Sequence, residues 1–173
     1  MIKMLSKEVS TLLCDQINKE FYSAYLYLDM SNYYYDQNLD GFGNWFKIQA
    51  QEERDHAMLI LTYLQNNGVS VKLATIDAPD KEYHTFKDPL VAALAHEQYV
   101  TSLINAVYSE AFAVKDFRTM QFLDWFIKEQ GEEEKNTDDL IKKFDLFGNE
   151  AKGLYMLNSE MGARTYTAPS LVL

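Results

Sequence analysis

Four stretches of this chain place apolar residues at alternating steps of four and three, the spacing of one face of an α-helix. In the second stretch that stripe reads Phe42, Phe46, Gln49, Glu53, His56, Ile60 and Tyr63. Glu53 and His56 therefore sit one above the other on the side that should be buried. A carboxylate and an imidazole in a core stripe are costly unless something pairs with them, and a metal ion is one such partner. The other stripes carry the same kind of interruption. The first reads Leu13, Ile17, Glu20, Ala24, Tyr27, Ser31, and the third Leu90, Leu94, Glu97, Thr101, Ile104, Tyr108, Ala111. The fourth reads Leu123, Phe126, Gln130, Glu133, Thr137, Leu140, Phe144.

The punctuation between the stripes sets a topology. Ser6 reads as the N-cap of helix one, with Glu8 in the first turn where negative charge suits the helix dipole. That helix fades near Gln37-Asn38, and Leu39 to Gly43 form a short turn into helix two, over 42–66, which stops at Asn67-Gly68. From Val69 to Asp88 no helical period is visible, and a connection of about 20 residues is what a crossover along a bundle requires. Asp88-Pro89 reads as N-cap and N1 of helix three. A break at Lys115-Asp116 leads into helix four, Gly148 ends it, and Asn149 caps a short fifth helix reaching Met161-Gly162. The expectation is an all-α fold. It is an up-down-down-up four-helix bundle with a long crossover between helices two and three, and a short fifth helix. One domain spans 1–162, followed by a frayed tail over 163–173. Only 7 Gly and 3 Pro in 173 residues, with few hairpin signals, agree with long helices over a sheet.

A formal net charge of -10 leaves no basic patch for nucleic acid. The single cysteine, Cys14, excludes an internal disulfide and any zinc or iron–sulfur site built on cysteines. The start has no apolar signal-peptide core, and no apolar run approaches membrane length, so a cytoplasmic location and no membrane partner are expected.

The polar interruptions form an internal repeat. Glu20 and Glu53 are 33 residues apart, as are Glu97 and Gln130. A shift of 77 carries Glu20 onto Glu97, Glu53 onto Gln130 and His56 onto Glu133. Two related helix hairpins would bring these residues to one level. Carboxylates with one imidazole and no thiolate suit iron(II), manganese or zinc, and a carboxylate can bridge two cations. Tyr27, on the same stripe as Glu20, could relay an electron; in isolation it is a core aromatic with a satisfied hydroxyl. A lone Glu-x-x-His is also a structural hydrogen bond in many helices. The run Glu129 to Glu134 would be a solvated face, but its period turns Gln130 and Glu133 inward and leaves Glu129 and Glu132 at the edge. Gly131, which costs about 1 kcal/mol relative to Ala in a helix, reads as a close approach to the site.

Taken together, Asn18-Lys19-Glu20 with Tyr22 and Tyr27, Glu52-Glu53-Arg54-Asp55-His56-Ala57, Ala95-His96-Glu97 and the stretch from Trp125 to Glu134 resemble the non-haem ferritins of bacteria and archaea. The resemblance covers about 4–162, and the ligand pattern of such di-iron bundles is a known one. It implies a ferritin-like cage, a homo-24-mer, that oxidises Fe(II) to Fe(III) with dioxygen or hydrogen peroxide and stores the mineral. Carried over, Glu20, Glu53 and His56 hold the first iron of a di-iron centre. Glu53 bridges to a second iron held by Glu97 and Glu133, with Gln130 close by. A possible third iron site maps to Glu52, Glu129 and Glu132, with Glu133. Tyr27 matches the redox tyrosine, and the fifth helix the one around the four-fold axes. Gln130-x-x-Glu133, where bacterioferritins and rubrerythrins carry a second Glu-x-x-His, disfavours those subfamilies. The tail from Thr165 to Leu173 has no counterpart. Two other readings stand beside the ferroxidase: a mineral-nucleating cage with little catalysis, and a metal-free helical interaction protein.

Overall fold

A computed structural model describes residues 5–173; the first four residues, with which the expected domain begins, lie outside it. Five helices follow in order: α1 Lys7–Asp36, α2 Asp40–Asn66, α3 Asp88–Ala113, α4 Phe117–Phe147 and α5 Ala151–Gly162. No strand occurs among the described residues, and no helix there is long and apolar enough to cross a membrane.

Side-chain contacts fix the directions of the helices. Ser31 at the end of α1 donates to the Gly43 carbonyl near the start of α2 (2.7 Å), and Tyr34 stacks on Phe42, so these two run antiparallel. Tyr34 also donates to the Phe86 carbonyl just before α3 (2.6 Å) while Tyr27 reaches Glu97, so α1 and α3 are antiparallel too. Gln130 meets Glu97 and Tyr108 meets Asp124, which reverses α4 against α3. Helices α2 and α3 are therefore parallel, joined by a crossover of irregular backbone that is pinned to α1 where Asn18 donates to the Thr75 carbonyl.

The apolar stripes divide into two core clusters. One gathers Leu13, Ile17, Ala57, Ile60, Ile104 and Phe122 towards one end of the bundle. The other gathers Met30, Tyr34, Phe42, Phe46, Leu90 and Phe144 towards the opposite end. Glu20, Glu53, Glu97, Gln130 and Glu133 fall between the two clusters on their respective helices and are buried. The bundle thus has a polar layer at mid-height, sealed by apolar layers above and below.

Local details depart from the sequence expectations at several points. The turn between α1 and α2 is shorter than expected, with helix resuming at Asp40. Asn38, at φ 58°, makes the reversal, which its short polar side chain tolerates. No side chain in its own turn caps α2. Asn158 of α5 does so instead, its Oδ1 accepting from the Gly41 and Phe42 amides (2.9 and 3.2 Å). This explains Gly41, where a Cβ would lie 1.7 Å from the Asn158 carbonyl oxygen. Asp88 is helical, not an N-cap. Its carboxylate accepts from the Thr85 hydroxyl (2.6 Å) and from the His84 and Thr85 amides (2.7 and 2.9 Å), which together lower its pKa below the usual carboxylate range. Glu150, not Asn149, stands at the α5 N-cap, and the Asn149 amide turns back to the Asp145 carbonyl.

Three further expectations are corrected. In α3 the buried register is Leu90, Ala93, Glu97, Val100, Ile104, Val107 and Ala111, and Leu94, Thr101 and Tyr108 are only half-buried. The two registers share four residues, so apolar spacing could not separate them. Gly131 faces outward, and a Cβ there would meet nothing within 4 Å. It does not mark a close approach to the site. Nor is the tail frayed: it runs along α2, where Tyr166 donates to Asp55 (2.5 Å), Trp125 of α4 donates to Ser170 (2.9 Å) and Leu171 packs on the core.

Candidate metal centre

The four helices deliver five buried acid–base side chains to the polar layer: Glu20 from α1, Glu53 and His56 from α2, Glu97 from α3 and Glu133 from α4. Their donor atoms form overlapping groups. Glu20, Glu53 and His56 offer atoms within 4.8 Å of one another, and so do Glu53, Glu97 and Glu133. A further group joins His56 and Glu133 to Glu129 at the edge of the bundle. Glu53 belongs to both inner groups, which is the geometry of a bridging carboxylate.

Hydrogen bonds tie one side of most of these carboxylates and leave the other bare. Gln16 donates to Glu20 Oε1 (2.7 Å). Gln49 donates to both Glu53 Oε1 and Glu133 Oε1 (2.9 Å each). Glu20 Oε2, Glu53 Oε2, Glu133 Oε2 and His56 Nδ1 are buried without a hydrogen-bond partner. These are four of the five such side-chain atoms among the described residues, the fifth being the Tyr83 hydroxyl. Buried polar atoms in native folds are almost always paired. These three carboxylate oxygens and the imidazole nitrogen, which lies 3.5 Å from Glu53 Oε2, belong to residues of the overlapping donor groups and are a donor set suited to cations. Glu97 differs: Tyr27 donates to its Oε1 and Gln130 to its Oε2 (3.1 Å), so both oxygens are held.

Electrostatics follow from this crowding. Burial pushes the Glu53 carboxyl well above the usual range, and Glu97 and Glu20 add to it. Glu133 is driven up in the same way by burial, then by Glu53 and Glu97. Burial also raises Glu20 and Glu97. Burial pulls the His56 pKa down, but Glu133, Glu20 and Glu129 outweigh it and the imidazole ends higher than in water. Two divalent cations would offset the burial and the carboxylate crowding that hold Glu53 and Glu133 well above their ordinary values. Trp125 and Phe126 meet the His56 ring edge-on, with centroids 5.5 and 5.9 Å away, and fix its plane.

The geometry and the sequence comparisons point the same way. The ferritin-like domain family matches residues 10–147. The chain belongs to the ferritin family. It is 40% identical over 153 residues to the bacterial non-heme ferritin of Campylobacter jejuni, covering 88% of this chain and 92% of that one. It is 36% identical over 159 residues to a probable bacterial non-heme ferritin-like protein of Haemophilus influenzae, covering 92% and 96%. Among solved structures it resembles an open-pore ferritin of Archaeoglobus fulgidus, with TM-score 0.92 and 36% identity over 95% of this chain and 100% of the other.

In this ferritin the inner residues expected from the sequence, Glu20, Glu53, His56, Glu97 and Glu133, do come together. Gln130 is beside them, but it presents its amide nitrogen to Glu97 as a donor. The outer residues divide. Glu129 joins a donor group, whereas Glu132 is exposed and pairs with Lys128 (3.8 Å) and Glu52 is engaged by Arg164 (2.5 Å). Sequence reasoning missed the orienting donors Gln16 and Gln49. A signal existed: each lies four residues before its glutamate, and the two pairs repeat at 33 residues. Arg164 carried no signal at all, since only the folded tail brings it here.

Proposed function

We propose that this ferritin is an iron-storage ferroxidase. Iron storage is the function of its family, and the four orphaned donor atoms at the crossing of four helices support a site for its substrate. Glu20, Glu53 and His56 would hold one Fe(II), Glu97 and Glu133 the second, with Glu53 shared. Each Fe(II) gives one electron to dioxygen, and with two protons the products are two Fe(III) and hydrogen peroxide; peroxide can serve as oxidant in turn. The chain's own part is fourfold. The apolar layers keep bulk water out. Gln16 and Gln49 aim the free carboxylate oxygens inward. Carboxyl groups pushed up by burial give up protons as the cations enter. Tyr27, bonded to Glu97 in an apolar wall with its hydroxyl pKa raised well above 10, is placed to supply or relay an electron.

Glu129, with His56 and Glu133, would form a third iron position on the way out, next to the exposed Glu132 that pairs with Lys128. The mineral would collect in a hollow homo-24-mer, and a cytoplasmic setting, where Fe(II) is kept reduced, suits the chemistry. We take residues 5–173 as one unit, tail included. The test is Fe(II) oxidation by metal-stripped protein followed in stopped flow. The parent should outpace the Glu53→Ala, Glu133→Ala double variant by at least about 100-fold. Equal rates would remove the enzymatic role, and uptake insensitive to His56→Ala would leave a nucleating cage.

A further inference from the structure

The docked tail carries a guanidinium to the edge of the centre. Arg164 lies over the Trp45 ring, with Cζ 4.3 Å from its centroid, and Nη1 donates to the Trp45 carbonyl (3.3 Å). Nη2 donates to Gln49 Oε1 (3.0 Å) and to Glu52 Oε2 (2.5 Å). Trp45, Gln49 and Glu52 follow at steps of four and three, so one side chain grips three successive positions of one α2 face. The Arg164–Glu52 pair is only 21% and 18% exposed, which removes it from the class of solvent-screened surface pairs. A planar, weakly hydrated guanidinium suits such a stacked and half-dry place better than an ammonium would.

Glu52 lies one turn before His56 on α2 and is half-buried. Its charge acts on Glu129, and His56 acts on both carboxylates. Beside the His56, Glu129 and Glu133 donor group there is thus a fourth carboxylate, and it is already taken. We propose that Arg164 is a tethered placeholder cation: while it grips Glu52, a divalent cation at His56, Glu129 and Glu133 lacks that fourth ligand, and gains it only when the Arg164 contact opens. The proposal rests on reading the polar layer as a metal centre. It makes the tail a device that weakens the outermost cation position and so favours onward release. The contact can open without unfolding, because other bonds hold the tail. Asn44 donates to the Arg164 carbonyl (3.2 Å), and Tyr166, Ser170 and Leu171 anchor the remainder.

The experiment is a Co(II) titration of the metal-stripped full chain, followed by visible absorption and calorimetry. Arg164→Ala and Arg164→Gln should each tighten the weakest Co(II) step about tenfold, the scale on which partners of metal ligands alter affinity. Glu52→Gln added to Arg164→Ala should abolish the gain. The proposal is overturned if both arginine variants titrate like the parent. It is also overturned if the gain survives loss of Glu52, for then the guanidinium acts only through its field. Glu53→Gln tests the underlying reading separately. If that variant keeps every Co(II) step, the metal centre itself is lost, whereas an intact Glu53 dependence with silent arginine variants removes the placeholder alone.

Discussion

Glu53 shows what the metal-free centre costs. Its carboxyl is fully buried, faces two other carboxylates and has one bare oxygen. A carboxyl whose pKa is raised on folding binds its proton more tightly folded than unfolded. Its favourable contribution is therefore present at low pH and is lost as pH rises from the unfolded value towards the folded one. At neutral pH Glu53 opposes folding. Glu53→Gln should stabilise the metal-free protein by about 1–3 kcal/mol, read as a higher melting temperature in chelator, while abolishing oxidation. His96 has the opposite pH sense. Burial, with help from Lys81 and Lys19, lowers its pKa to about 4, and its Nε2 lies 2.7 Å from the Ser23 hydroxyl. Ser23 donates its own proton to the Lys19 carbonyl (3.0 Å), so Nε2 is the donor. The neutral ring is favoured on folding, so stability is full above about pH 6.5 and falls as pH drops towards the folded value. Melting temperatures between pH 6.5 and 4.5 should fall less steeply in His96→Gln than in the parent.

At the scale of the element, the helices were legible because their stripes are long and strictly periodic. The stripes of α1, α2 and α4 are buried residue for residue as their spacing indicates. In α3 the small residues Ala93, Val100 and Val107 compete with Leu94, Thr101 and Tyr108 for the same face, and only packing against α1 and α4 chooses. Ends were harder to read, because a cap can come from another element. Asn158 capping α2 across 117 residues of sequence is invisible to any local rule. The turn between α3 and α4 has its own weakness: Lys115 sits at φ 58°. A lysine there is strained where glycine is not. Lys115→Gly should raise stability by about 0.5–1 kcal/mol in chemical denaturation, with oxidation unchanged.

At the scale of the whole molecule, the centre is a product of topology. The long crossover makes α2 parallel to α3, and in that arrangement α2 brings Glu53 and His56 opposite Glu133 of α4 while the neighbouring α1 and α3 carry Glu20 and Glu97. The two-hairpin repeat made the inner five residues legible from sequence alone. The outer position was not, since whether Glu52, Glu129 or Glu132 contributes depends on where the tail and the lysines settle. The central claim is that the orphaned donors of the polar layer hold two iron ions with Glu53 between them. It is tested most directly by anomalous scattering at the iron edge from crystals of metal-stripped protein soaked in Fe(II) without oxygen. The account predicts two strong peaks in each subunit flanking the Glu53 carboxylate, one beside His56 and Glu20 and one beside Glu97 and Glu133. An empty polar layer, or iron only on exposed surface carboxylates, would contradict it.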